Sequence, residues 1–137
     1  MSFKYEISTG NLYDTSNAED ELVAHGWAGH DTDAVKGYNN PDAISVKGIG
    51  PLPPGFYLIG DPVDHPHVGK LAFPLFPYAT NKMYGRSGFF IHGPNLKDIK
   101  HSSDGCMCFL RYDREKISVD IKNSDVHSPK RVLKVVL

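Results

Sequence analysis

Cysteine is scarce in this chain, tryptophan occurs once, and no long apolar run interrupts its 137 residues. The only cysteines, Cys106 and Cys108, lie two apart. Bridging them would strain the disulfide, so a cystine framework is excluded. The lack of any apolar stretch near the ~20 residues of a membrane helix excludes a helical span. The first residues, MSFKYEISTG, have neither a basic region nor an apolar core. The expectation is therefore synthesis in the cytoplasm without a Sec signal, and no insertion into a membrane. Nor does either sign of charge dominate. Fifteen Lys and Arg stand against 16 Asp and Glu, net −1, which leaves no global field to draw in nucleic acid. Repeats, low-complexity tracts and a second domain are absent too, so residues 1–137 read as one domain.

What is present is turn chemistry and aromatic side chains: 13 Gly, 10 Pro, 7 Tyr and 7 Phe. That mixture points to short strands and many turns, not to a helical bundle. Strands are expected over 3–7, 12–14, 56–59, 70–76, 89–91 and 130–137, with Pro74 confining the fourth to an edge or a bulge. Residues 15–22 read as a polar loop or a turn of helix. Residues 24–50, rich in Gly, Asn and Asp and carrying His25 and His30, read as one long ordered loop of the kind that lines a site. A short helix is expected over 113–123, from Ile117 and Ile121 four apart and Asp113 as N-cap.

The chemistry concentrates between Gly88 and Phe109, GFFIHGPNLKDIKHSSDGCMCF. An apolar run delivers His92, and a polar loop returns to Ser103-Asp104-Gly105-Cys106. Cysteine attacks as thiolate, and an imidazole lowers the cost of making one, so these are the parts of a thiol nucleophile. Cys106 sulfur and a His92 nitrogen are expected within hydrogen-bond reach, or slightly beyond it without substrate. Cys108 reads as a small core residue, His101 as a solvated loop residue and Ser103 as a turn residue bonding local backbone. Two alternatives stay open. His65, His67, His92, Cys106 and Cys108 include zinc's usual ligand types, though H-x-H with C-x-C is a poor spacing for it. A non-catalytic wall- or partner-binding module would retain the same motif.

His92 with Ser103-x-Gly105-Cys106 resembles the signature of the L,D-transpeptidase superfamily. Tyr38-Asn39-Asn40-Pro41, Val46-Lys47, Gly50-Pro51-Leu52-Pro53-Pro54-Gly55 and Gly85-Arg86-Ser87-Gly88-Phe89 together resemble its small branch of antibacterial type VI secretion effectors. Two positions depart from the superfamily: Asp104 stands where histidine often precedes the Gly-Cys, and Cys108 where Arg or Asn often follows. The resemblance implies a mainly β, mostly antiparallel single-domain sandwich or barrel with one or two short helices. It implies a peptidoglycan-modifying cysteine enzyme, an L,D-carboxypeptidase or L,D-transpeptidase acting on stem tetrapeptides. Cys106 would be the nucleophile, His92 the base and the Gly93 carbonyl its orienting partner. Ser103, Asp104 and Gly105 would form the oxyanion loop, and Arg86 would bind the substrate carboxylate. No metal or organic cofactor is implied. The partners would be peptidoglycan stem peptides, a secretion apparatus and an immunity protein, for a monomer delivered to the periplasm of a target bacterium.

Overall fold

Alternating side chains bury one face of several strands in the computed structural model, which describes residues 3–95, 97–125 and 127–137. The strands are β1 (Phe3–Glu6), β2 (Asn11–Asp14), β3 (Glu21–His25), β4 (Trp27–Ala28) and β5 (Gly55–Ile59). They continue with β6 (Val63–His65), β7 (Gly69–Pro77), β8 (Phe90–His92), β9 (Met107–Cys108) and β10 (Val132–Val136). Phe3 and Tyr5, Tyr57 and Ile59, Phe73 and Leu75, and Leu133 and Val135 all point inward at the two-residue period of a pleated strand. The one α-helix among the described residues, α1 (Arg111–Ile121), adds Ile117 and Ile121 to the same core.

The sheet runs β3-β2-β1-β10-β5-β7-β8-β9-β4, with β6 pairing beside β7. Most pairs are antiparallel; β1–β10 and β8–β9 are parallel. The mainly β expectation holds, as one small domain with a mixed sheet that is not a closed barrel. Its edge strands, β3 and β4, are consecutive in the chain with Gly26 alone between them. The sheet must therefore curl until its two edges nearly meet. Gly26 makes this possible because any side chain there would strike the Cys108 carbonyl and the Phe109 ring.

Some local expectations change. Residues 15–22 end in β3, an edge strand whose mostly exposed side chains carry no alternation to read. The 61–69 loop contains β6. Pro74 sits inside the sheet, not at its edge, because its carbonyl accepts from Gly60 N–H at 2.8 Å on the side where pairing passes from β6 to β5. The missing proline N–H falls in that gap. The helix begins two residues early, at Arg111. Leu110 is its N-cap without a side-chain bond, and Asp113 lies in the first turn.

Gly26→Ala is expected to cost about 2–3 kcal/mol through overpacking at the meeting edges, read as a lower urea midpoint. An unchanged midpoint would show that the edges are not pressed together there.

Candidate active site

The β8–β9 ladder places the two halves of the motif side by side. Ile91 pairs with Met107 and His92 with Cys108, in parallel register. Ile91 and Met107 enter the core, so the alternation sends His92 and Cys108 to the other face. Cys106, one residue before β9, shares that parity and is a diagonal neighbour of His92. Beyond β9, Trp27 of β4 pairs with Cys108 and extends the same face.

The turn carrying Cys106 is tied down at every carbonyl. His30 Nδ1–H donates to Ser103 O at 2.7 Å and Arg86 Nη2 to Asp104 O at 3.2 Å. Leu52 N–H donates to Gly105 O at 2.9 Å and Ser103 Oγ–H to Cys106 O at 2.5 Å. Ser103 is fully buried, and its Oγ also accepts from Gly29 and Gly105 N–H. It is a backbone organiser, as its turn position suggested. In a trans peptide N–H opposes C=O, so the Cys106 N–H points away from Leu52 and can meet a developing oxyanion. The Gly105 N–H is already bound to Ser103 Oγ. Gly105 itself has φ +133°, with Arg86 Nη2 2.6 Å from where a Cβ would stand. The Asp104 side chain is 80% exposed.

Arg86, expected to receive a substrate carboxylate, is 5% exposed and bonded to the protein's own backbone. Its Nη1 donates to Ile44 O and Pro51 O, both at 2.7 Å, and its Nη2 to Gly50 O at 2.8 Å and to Asp104 O. Four of its five donors are thus engaged, and the guanidinium lies over the Phe89 ring.

His92 Nδ1–H donates to Gly93 O at 2.7 Å, which fixes the tautomer and leaves the Nε2 lone pair free. A sequence reading had no signal for what lies behind Gly93. Arg114 of α1 donates to Phe109 O, Lys70 O and Leu71 O, and its Nη2 occupies the place a Gly93 side chain would need. His30 was likewise visible only as a loop histidine. No hydrogen bond joins Cys106 to His92. The sulfur of Cys108 is closer to the ring, 3.7 Å from Nδ1 and 3.9 Å from Nε2. Near-equal distances to both nitrogens put that sulfur over the ring face, off the axis of either lone pair, so it packs the imidazole and does not bond it.

Charge and burial set a neutral pair. Desolvation pushes the Cys106 thiol up to about 11, against the opposing pull of the Phe90 N–H, which donates to Sγ at 3.3 Å, and of Arg86. Burial pushes Cys108 up to about 12 and His92 below its usual value. Cys106, partly exposed, opens into a pocket of about 210 Å³ with Lys47, Gly48, Arg86, Phe89 and Asp104. A larger cleft of about 780 Å³ lies by Trp27, Asp31, Lys36, Tyr38, Lys100 and His101. For the zinc alternative, no three His, Cys, Asp or Glu side chains among the described residues gather as a metal site.

Arg86→Lys replaces a four-bond fork by one ammonium and is expected to destabilise the fold by roughly 2–4 kcal/mol, since buried carbonyls lose their donors. A melting temperature equal to that of the unsubstituted protein would contradict this anchoring role.

Comparison with known proteins adds three findings. No curated protein matches the chain. A solved structure from Bdellovibrio bacteriovorus, that of Bd1075, superposes with TM-score 0.58 at 15% identity, a likeness of fold. The match covers 98% of this chain and 47% of that one, so the chain spans about half the length of that protein. Residues 23–132 match the Tlde1 domain model, the outcome expected from the Asn-Asn-Pro and Gly-Pro-x-Pro-x-Gly blocks. The chain therefore belongs to the Tlde1 domain family, a family of type VI secretion effectors.

Proposed function

We propose that this effector is a cysteine-dependent L,D-carboxypeptidase or L,D-transpeptidase acting on the stem tetrapeptides of peptidoglycan. The observation that carries the reading is a pocket-lining thiol on the same sheet face as an imidazole oriented for base work, one register step away. Cys106 opens into its cavity from a turn pinned at four carbonyls. On the same sheet face, His92 has Nδ1–H fixed on Gly93 O and Nε2 free. The family's effectors are named for the same chemistry.

In the proposed cycle His92 Nε2 takes the thiol proton as Cys106 Sγ attacks the carbonyl of the L-centred residue. The Cys106 N–H meets the oxyanion; donors of this kind are worth about 3 kcal/mol. Collapse breaks the C–N bond, the leaving D-residue takes the proton from His92 as its amine, and a thioester remains. Water, deprotonated by His92, then yields the shortened stem as its carboxylate. The amine of a D-amino acid or of a second stem yields exchange or a cross-link instead. Because thiol and imidazole are both neutral beforehand, base and nucleophile must come together when substrate binds.

The physiological target of the proposal is the wall of another bacterium, with a secretion apparatus and an immunity protein as partners. Muropeptides incubated with the protein should lose the terminal D-residue, or exchange it when a D-amino acid is added, as read by mass spectrometry. Cys106→Ala should abolish the change, and Cys108→Ser should keep most of it. An essential Cys108 beside a dispensable Cys106 would reverse the assignment. In a Gram-negative host, fusion to a Sec leader should make the chain toxic, and the exported Cys106→Ala form harmless. Equal growth of both, with export verified, would remove the antibacterial reading.

The thiol's titration gives a separate check. Its raised pKa keeps the protonated form below about 11, so iodoacetamide labelling of Cys106 should climb steadily from pH 8 to pH 11 without a plateau near neutrality. A labelling pKa below 7 would show a preformed thiolate–imidazolium pair.

A further inference from the structure

We infer that the Cys106 pocket is a carboxylate-binding site for the leaving residue, with Lys47 as its counter-charge; this rests on the acyl-transfer reading above. The pocket of about 210 Å³ is lined by the nucleophile and by two cationic side chains, Arg86 and Lys47. Arg86 is engaged by Ile44, Gly50, Pro51 and Asp104 carbonyls. Lys47 is different. It is exposed, and among the described residues it makes no hydrogen bond or ion pair. Its neighbour Gly48 has φ +76° and nothing within 4 Å of where a Cβ would stand. The backbone there is thus shaped by a residue that leaves the pocket mouth clear.

A free carboxylate entering this pocket meets one unpaired cation. The Asp104 side chain would repel it, and the Arg86 fork is occupied, so the unpaired ammonium is its partner. The geometry of the substrate fits. In a stem ending in a D-residue the terminal carboxylate lies three bonds beyond the attacked carbon, so a pocket entered from Cys106 receives that group directly. Its volume of about 210 Å³ is ample for one residue beyond the scissile bond. The leading charge effects on the thiol are those of Asp104 and Arg86, and the role assigned to Lys47 is towards the substrate. The consequence is specificity: the protein takes stems that end at the D-residue with a free carboxylate, and discriminates against amidated or extended ones.

The experiment compares a stem tetrapeptide with its C-terminal carboxamide, using the whole chain. The unsubstituted protein should favour the free acid in kcat/KM by on the order of tenfold to a hundredfold, the range of one charge-assisted hydrogen bond. Lys47→Met should erase that preference, mostly through KM, and Lys47→Arg should restore it. Iodoacetamide labelling of Cys106 should be equal in all three proteins, which separates lost grip from a damaged site. A Lys47→Met protein that keeps the preference overturns the inference while leaving the acyl-transfer reading intact. Should no form turn over either peptide, that reading fails, and protection still tests the pocket. D-alanine, but not D-alaninamide, should slow labelling of Cys106 in the unsubstituted protein and have no effect in Lys47→Met. Equal protection by both ligands, or none by either, counts against Lys47.

Discussion

The site depends on one buried cation. Arg86 comes from the turn before β8, crosses beneath the nucleophile turn, and bonds carbonyls of residues 44, 50, 51 and 104. Those carbonyls belong to segments far apart in sequence, and none is supplied with a partner by a β-ladder. Buried carbonyls without donors would each cost a desolvation penalty, so the long 29–54 loop can be ordered only where something donates to it. Arginine suits this because its planar fork presents several donors in fixed directions and stays charged even when desolvated. Burial does oppose its charge. Four charge-assisted bonds and the Phe89 ring offset that cost.

The same logic recurs on the other side of the reacting pair. Arg114 reaches from α1 to three carbonyls and closes against Gly93, so the His92 side of the site is backed by a second buried guanidinium as the Cys106 turn is by the first. Between them the two arginines fix the ends of the 93–105 segment. Neither needs to touch substrate to matter. Each converts flexible loop into a surface on which a side chain can be held to a fraction of an ångström, as acyl transfer demands.

The inward-facing strands, and the placing of His92 and Cys106 on adjacent segments of the sheet, were legible in the sequence because they have local signatures. Phe-Phe-Ile before His92 announces a strand, and Ser-x-Gly-Cys announces a turn that needs a left-handed glycine and a capping hydroxyl. What was not legible is what depends on long-range packing. β3 escaped because an edge strand with exposed side chains has no alternation to detect. Pro74 points by a sound rule to an edge or a bulge; it lies inside the sheet, where the ladder changes partner and leaves its missing donor unneeded. Arg86 was assigned to a ligand because sequence shows a cation near the site but not the four carbonyls that surround it. Cys108 read as core, and it is fully buried. That its sulfur would cap the imidazole follows only from the parallel register of β8 and β9.

Burial of the thiol poses an apparent contradiction for a nucleophile, since a high pKa withholds the reactive form. On the proposed function the contradiction resolves through compartment. A protein that acts outside its producer meets oxidising surroundings, and the thiolate is the species that oxidises. Keeping Cys106 protonated by desolvation, with His92 neutral beside it, makes the free enzyme chemically quiet. Substrate changes the balance, because the attacked carbonyl gives the sulfur a bond to form as the proton leaves, and the Cys106 N–H receives the resulting charge. Activation is thereby deferred from the empty site to the occupied one. The rigid turn assists this: with its four carbonyls already bonded, its backbone need not reorganise when substrate arrives.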